Sequence, residues 1–262
     1  MRIELKNRNC QNCGSDKFDF FLKSKDNRFR KNEKVFTIVK CRKCGLVYLN
    51  PIFPESDLNK FYGVDFYSGS GNFLNKISKI ISLITTFSFM KKIKKYKKNG
   101  RVLDVGSGLG GLVRSFIKYG YDAYGVEIND DAKPFIDDEL KKKIIFDDLK
   151  NVNFKRKSFD VITTTHVLEH VYDIKSFLNE IKTNLKDDGL LYIKVPNNNF
   201  FEYKLFKNYA YNLEVPRHLS FFTKKSLKNV LENNGFKKIV FIRSNLNDLL
   251  STPASFYYSI KY

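Results

Sequence analysis

The run Val102-Leu103-Asp104-Val105-Gly106-Ser107-Gly108-Leu109-Gly110-Gly111 decides how the rest of the chain is read. An apolar, β-like stretch carries a carboxylate near its end, glycines follow at alternate positions, and a helical pattern runs from Leu112 to Tyr119. Glycines spaced in this way let the backbone bend tightly and approach a ligand closely, while a helix N-terminus offers N–H groups and positive dipole. Outward from this loop, short β-like runs alternate with helical patterns: Val102 to Val105, Asp122 to Val126, Ile144 to Phe146, Phe159 to Thr163, Leu190 to Val195 and Lys238 to Ile242. Strands separated by helices of roughly 10 to 15 residues predict an α/β fold with a doubly wound, mostly parallel sheet, whose ligands lie beyond the carboxyl ends of the strands. Candidate functional residues are therefore sought just beyond the end of each strand.

The second strand ends in Val126-Glu127-Ile128, about 20 residues after the loop, where Glu127 is placed for a ribose diol. The third ends in Asp147-Asp148, where a carboxylate can accept from an adenine amino group. With these, VLDVGSGLGGLV, GVEI, FDD, FDVITTTHVLEHV and LKDDGLLYIKVPN resemble the ordered motifs of class I S-adenosylmethionine-dependent methyltransferases, over about residues 99 to 242. The resemblance implies the Rossmann-like sheet of that class and S-adenosylmethionine (SAM) as cofactor. It places Asp104, Gly106, Gly108 and Gly110 around the methionyl part of SAM, Glu127 at the ribose hydroxyls, and Asp148, with Asp147 second, at the adenine. The Asp-x-Gly-x-Gly-x-Gly spacing sets the chain apart from dinucleotide dehydrogenases, as does the lack of a substrate domain large enough for hydride chemistry.

All four cysteines fall in two C-x-x-C-G units, Cys10-Gln-Asn-Cys13-Gly14 and Cys41-Arg-Lys-Cys44-Gly45. Two thiolates at this spacing curl around one ion, and the glycine lets the backbone turn beneath the sulfurs, so the pair predicts a structural four-thiolate zinc ribbon. The alternation Val35-Phe36-Thr37-Ile38-Val39 suits a strand that delivers the second knuckle to the first. Two disulfides are the rival pairing, disfavoured in a reducing cytosol, and nothing here matches a thioredoxin context for a redox C-x-x-C. A ribbon ahead of such a domain resembles bacterial methyltransferases that modify sugars and other surface-glycan precursors.

The remaining composition is that of a soluble globular protein: 262 residues, 42% hydrophobic and 29% charged. The Met-Arg-Ile-Glu-Leu-Lys start has no apolar signal core, and the greasy run Ile80 to Met90 falls short of the roughly 20 residues needed to span a bilayer, so a cytoplasmic location is expected. A net charge of +19 favours anionic partners, although the excess is mostly lysine spread along the chain. The expected organisation is a zinc ribbon over 1–52, an aromatic segment and amphipathic helix over 53–98, and the SAM-binding domain over 99–262. In the middle segment Tyr62 and Tyr67 are candidate substrate contacts that could close over the cofactor, ahead of a helix expected from Phe73 to about Lys97. The tail Ser255 to Tyr262 could add an antiparallel edge strand.

The chain has three histidines, and all lie in two motifs. His166-Val167-Leu168-Glu169-His170 comes after the fourth strand. If a helix begins near Thr165, His166, Glu169 and His170 share one face. His218 sits in Val215-Pro216-Arg217-His218-Leu219-Ser220, after the fifth strand, where the resemblance implies the acceptor pocket, with Arg217 a candidate anion contact. Two chemistries stay open. An imidazole, with Glu169 beside it, can act as general base on an acceptor hydroxyl. Alternatively His166, Glu169, His170 and His218 can hold a second divalent ion that polarises the acceptor oxygen. The second resembles the E-x-x-E-H plus distal His of ubiquinone-pathway O-methyltransferases and small-RNA 3′-end methyltransferases, with His166 in place of the first Glu. The function expected is SAM-dependent methylation of a small, anionic acceptor, a hydroxyl of a sugar, nucleotide-sugar or related glycan precursor. An RNA methyltransferase gripping phosphates with ribbon and lysines, or a noncatalytic zinc-ribbon scaffold, are the alternatives, and the oligomeric state stays open.

Overall fold

The structure, a computed structural model, describes residues 4–27, 34–61, 86–198, 203, 205–206 and 213–242. These fall into two compact units that cut across the order of the sequence. One takes its residues from Gly63–Val167 and Ser176–Lys194, the other from Met1–Tyr62, Leu168–Lys175 and Val195–Tyr262.

The first unit holds a five-stranded parallel sheet of β4 (Arg101–Val105), β5 (Asp122–Glu127), β6 (Ile144–Phe146), β7 (Phe159–Thr165) and β8 (Leu185–Lys194), in the order β6-β5-β4-β7-β8. The chain starts in the middle, winds outward one way to β6 and then the other way to β8, which puts the switch point between β4 and β7. Buried central strands read as near-continuous apolar runs because both faces are covered, and β7 shows this, with Phe159, Val161, Ile162, Thr163 and Thr164 all buried. Asp160 pins the sheet at its opposite end, accepting from the Arg101 backbone N–H at 2.8 Å and from Lys186 Nζ at 2.7 Å. A helix over 86–96 (α1) buries Met90 and Ile93, and α2 (Gly111–Lys118) buries Val113 and Phe116. These join Val102, Ala123 and Val161 in one core. A short α3 (Asp138–Lys141) adds Leu140 to it, and α4 (Ile174–Asn184) leads into β8.

The second unit is built on an antiparallel sheet, β1-β2-β3-β9, of β1 (Phe18–Ser24), β2 (Phe36–Cys41), β3 (Val47–Leu49) and β9 (Ser220–Phe221). The expected hairpin strand is β2, flanked by β1 and β3. The ribbon is not a domain of its own. Val47 and Tyr48 of β3 pair with Phe221 and Ser220, and Phe36, Ile38, Leu49, Phe53 and Phe61 share a core with Val215, Leu219 and Phe221. A segment this small cannot bury enough apolar surface alone, so it recruits chain from beyond β8. Helix α5 (Lys224–Asn233) closes the unit, entered through a Thr223–Ser226 capping box.

One expectation is not met here. Residues 238–242 form no strand, Lys238 taking a left-handed φ of 55°. Of the helix expected from Phe73, the part over 86–96 is helical and the rest lies outside the described residues, as do Tyr62, Tyr67 and the tail from Ser255 to Tyr262. Among the described residues no helix is long and apolar enough to cross a membrane.

Candidate functional site

In the parallel-sheet unit the loop after β4 lies at the switch point. Gly106, Gly108 and Gly110 all have positive φ, 72°, 52° and 74°. Gly106 N–H and Ser107 N–H both donate to Val126 O, which folds the loop over the end of β5. A Cβ on Gly106 would strike Val167 Cγ2 and one on Gly110 would meet Leu140 Cδ2 at 2.5 Å, whereas a Cβ on Gly108 would meet nothing within 4 Å. Two of the glycines are therefore demanded by packing, and the middle one faces open space suited to a ligand.

Two buried carboxylates flank this loop. Glu127, at the end of β5, accepts from Gly108 N–H at 2.7 Å and from Asn129 N–H at 3.0 Å, so it shapes the loop it is expected to share with a ribose. Asp104 accepts from Thr163 Oγ1 at 2.6 Å. Burial pushes its carboxyl up to about 7, with Glu127 adding to the rise and the Thr163 hydroxyl opposing it. Thr163, its partner on the next strand, is a residue that sequence reasoning missed. Asp148 and Asp147 serve the turn after β6. Asp148 caps it through Lys150 N–H at 3.1 Å, and Asp147 accepts from Asn151 Nδ2 at 2.8 Å. The Asn151 amide first, then the Asp148 N–H, hold Asp147 below the usual carboxylate range.

No helix begins at Thr165. Strand β7 runs through that residue, His166 is exposed with φ 56°, and a single 3-10 turn covers Leu168–His170. His166 N–H donates to Lys194 O at 2.8 Å, a bond between neighbouring strand ends. The helical face expected to join His166 with Glu169 and His170 is thus absent, because strand pairing carries the chain past the point where the helix would start.

In the other unit Glu169, His170 and His218 each offer a ligand atom, and these atoms lie within 4.8 Å of one another. Glu169 and His218 are buried. The rings of His170 and His218 meet edge to face at 4.7 Å. His170 Nδ1 lies 3.0 Å from the carbonyl oxygen of Arg217, and Leu219 N–H donates to Glu169 O at 2.7 Å. Desolvation, and next the adjacent His218, hold the His170 imidazole down at about 4. A neutral ring at physiological pH is a poor Brønsted base but a ready metal ligand.

Arg217 is not at an open surface. Its side chain is 1% exposed and forks onto Asp26, Nη1 to Oδ2 at 3.2 Å and Nη2 to Oδ1 at 3.0 Å. The guanidinium expected to meet an anionic acceptor is instead matched by a buried carboxylate that no sequence signal marks, since the partners are far apart in the chain.

The same unit brings the four cysteines together. Cys10 Sγ lies 3.5 Å from Cys44 Sγ, and Cys13 Sγ 3.5 Å from Cys41 Sγ. All four are free thiols, and these distances are far beyond the roughly 2.05 Å of a disulfide. Gly14 and Gly45, at φ 70° and 75°, donate back to Cys10 O and Cys41 O, so the two knuckles are the same turn used twice.

Residues 77–240 match the family model of the methyltransferase domain called Methyltransf_23. The chain belongs to this family and is a SAM-dependent methyltransferase. It is 27% identical over 224 residues to the demethylmenaquinone methyltransferase of Lactobacillus johnsonii, covering 74% of this chain and 90% of that one. It is 31% identical over 110 residues to a ubiquinone biosynthesis O-methyltransferase of Pelagibacter ubique, where the match covers 40% of this chain and 46% of the relative. The chain thus spans about half the length of that relative. Among solved structures, the 1,6-didemethyltoxoflavin-N1-methyltransferase of Burkholderia thailandensis superposes with a TM-score of 0.52 at 15% identity, covering 81% of this chain and 89% of that one, a likeness of fold.

Proposed function

We propose that the protein transfers the methyl group of SAM to a hydroxyl of a small acceptor, with a sugar, nucleotide-sugar or other surface-glycan precursor as the leading candidate. The observation that carries the reading is the convergence of Glu169, His170 and His218 within 4.8 Å. The sulfonium of SAM supplies an electrophilic methyl group. The open space at Gly108 would give it close backbone approach, Glu127 would accept from its ribose, and the buried Asp104 carboxyl would face its methionyl end. What the acceptor needs is a more nucleophilic oxygen, and the histidine cluster suits that task.

Two imidazoles and one carboxylate form a donor set apt for a divalent ion. Three ligand atoms each about 2.1 Å from one ion stand roughly 3.0 to 3.6 Å apart, inside the 4.8 Å within which these three lie, so the side chains would draw in around a bound ion. An ion held there would polarise an acceptor hydroxyl. The low His170 basicity favours this use of the ring over direct proton removal. The four thiols fit a zinc ion equally well, since a tetrahedral site with Zn–S near 2.3 Å has sulfurs about 3.8 Å apart and the two measured separations are 3.5 Å. That zinc would be structural.

The test is methyl transfer from labelled SAM to nucleotide-sugars, with a quinol as comparison, because two relatives are named demethylmenaquinone methyltransferase and ubiquinone biosynthesis O-methyltransferase. A mild chelator that leaves the thiolate zinc in place should abolish transfer, and Mg²⁺ or Mn²⁺ should restore it. His170→Ala, which removes one ligand of the proposed ion, should lower both turnover and Mn²⁺ affinity by at least about 10- to 100-fold with SAM affinity nearly intact. Full activity in a His170→Ala, His218→Ala double variant would remove the cluster from the reaction.

A further inference from the structure

We infer that the buried Asp26–Arg217 pair is a positioning device for the Glu169–His170–His218 cluster: it pegs the segment Arg217–Leu219, whose backbone sets the tautomer of His170 and holds Glu169. The inference rests on the reading of that cluster as the place where the acceptor is activated.

The links are short. The fork from Arg217 to Asp26, at 3.2 and 3.0 Å, fixes the guanidinium in orientation as well as place, and both side chains are removed from solvent, 1% and 0% exposed. A buried ion pair adds little to stability that a well-packed apolar pair would not, because desolvation offsets the Coulombic gain. What this one specifies is the location of residue 217. From there the carbonyl of Arg217 meets His170 Nδ1 at 3.0 Å. A carbonyl can only accept, so in the neutral ring Nδ1 carries the proton and Nε2 carries the lone pair. The next residue is His218 itself, and the one after it, Leu219, donates its N–H to Glu169 O at 2.7 Å. Each member of the cluster is therefore tied to three consecutive residues, the first of which is nailed down by Asp26. Orientation of a ligating or basic histidine through its second nitrogen is how outer residues govern such sites. Asp26 and Arg217 thus act through His170 and are positioning residues, not catalytic ones.

With three histidines in the chain, ¹⁵N-histidine labelling yields three imidazole patterns, and a His170→Gln spectrum assigns the one in question. The expected result for the wild type is a His170 ring protonated at Nδ1 and bare at Nε2. In Asp26→Asn, with far-ultraviolet circular dichroism unchanged, the second tautomer should appear and Mn²⁺ affinity should fall about 10- to 100-fold. Arg217→Lys, which keeps the charge and loses the fork, should do the same. A wild-type His170 protonated at Nε2 would overturn the inference, as would an unaltered tautomer in a folded Asp26→Asn or Arg217→Lys protein. If the wild type binds no Mn²⁺ while the tautomer still depends on Asp26, the positioning stands and the metal reading of the cluster falls.

Discussion

Gly106 and Gly108 share a left-handed φ, yet a side chain at each meets a different fate. A Cβ at Gly106 would strike Val167, whereas at Gly108 it would enter open space. Gly108→Val should therefore fold, at a cost of about 1–2 kcal/mol for the backbone conformation, while losing S-adenosylhomocysteine affinity by more than tenfold in calorimetry. Unchanged affinity in that protein would remove the loop from the cofactor site. Asp104 makes a prediction about pH. Its carboxyl is raised to about 7 in the folded protein, against an ordinary value near 4, so between those limits the native state holds a proton that the unfolded chain has lost. The contribution of Asp104 to stability is thus fully present below about pH 4 and falls away as pH rises through 7. Denaturant unfolding of wild type and Asp104→Asn at pH 5 and pH 8 should show the variant gaining relative to wild type at the higher pH. A gap that does not change with pH would contradict the burial argument.

At the scale of elements, the cysteine knuckles and the Glu169–His170–His218 cluster hang on one sheet. Cys41 ends β2, β2 pairs with β3, and β3 pairs with β9, whose residues Ser220 and Phe221 come soon after His218 in the chain. Cys41→Ser, which removes one ligand of the proposed zinc, should therefore do more than loosen a peripheral ribbon. Zinc content should drop from about one per chain, and hydrogen exchange should show faster amides in β2, β3 and residues 215–222. Protection confined to its wild-type pattern in 215–222 would mean that the shared core of Phe36, Leu49, Leu219 and Phe221 holds without the metal.

At the scale of the molecule, the parallel sheet has a core of its own, around Val102, Val113, Phe116, Ala123 and Val161. Cofactor binding should then survive damage to the other unit. Cys41→Ser protein should bind S-adenosylhomocysteine within a few-fold of wild type, and ligand at 100 times its Kd should stabilise the unit that carries the loop by about 2.7 kcal/mol. Loss of binding in parallel with zinc would show that the glycine loop depends on the ribbon unit for its shape.

The cofactor half was legible in the sequence because its signals are local. Alternation of strands and helices, glycines at fixed offsets and a carboxylate at or just past the ends of β4, β5 and β6 are written within short stretches, and β4, β5, β6 and β7 form within two residues of where the pattern puts them. The C-x-x-C-G spacing likewise announced two identical turns that the fold brings together. Periodicity failed where a longer pairing overrode it: Thr165 and His166 continue along β7 and its neighbour β8 instead of starting a helix. The Glu169–His170–His218 cluster was legible as three candidate residues but not as an arrangement. That Glu169, His170 and His218 converge, that Arg217 turns inward to Asp26, and that the ribbon takes its last strand from residues 220–221 depend on pairings between distant parts of the chain. Short-range propensities carry no record of such contacts, which arise because the N-terminal segment is too small to bury its apolar face and must complete its sheet and core with chain from beyond β8.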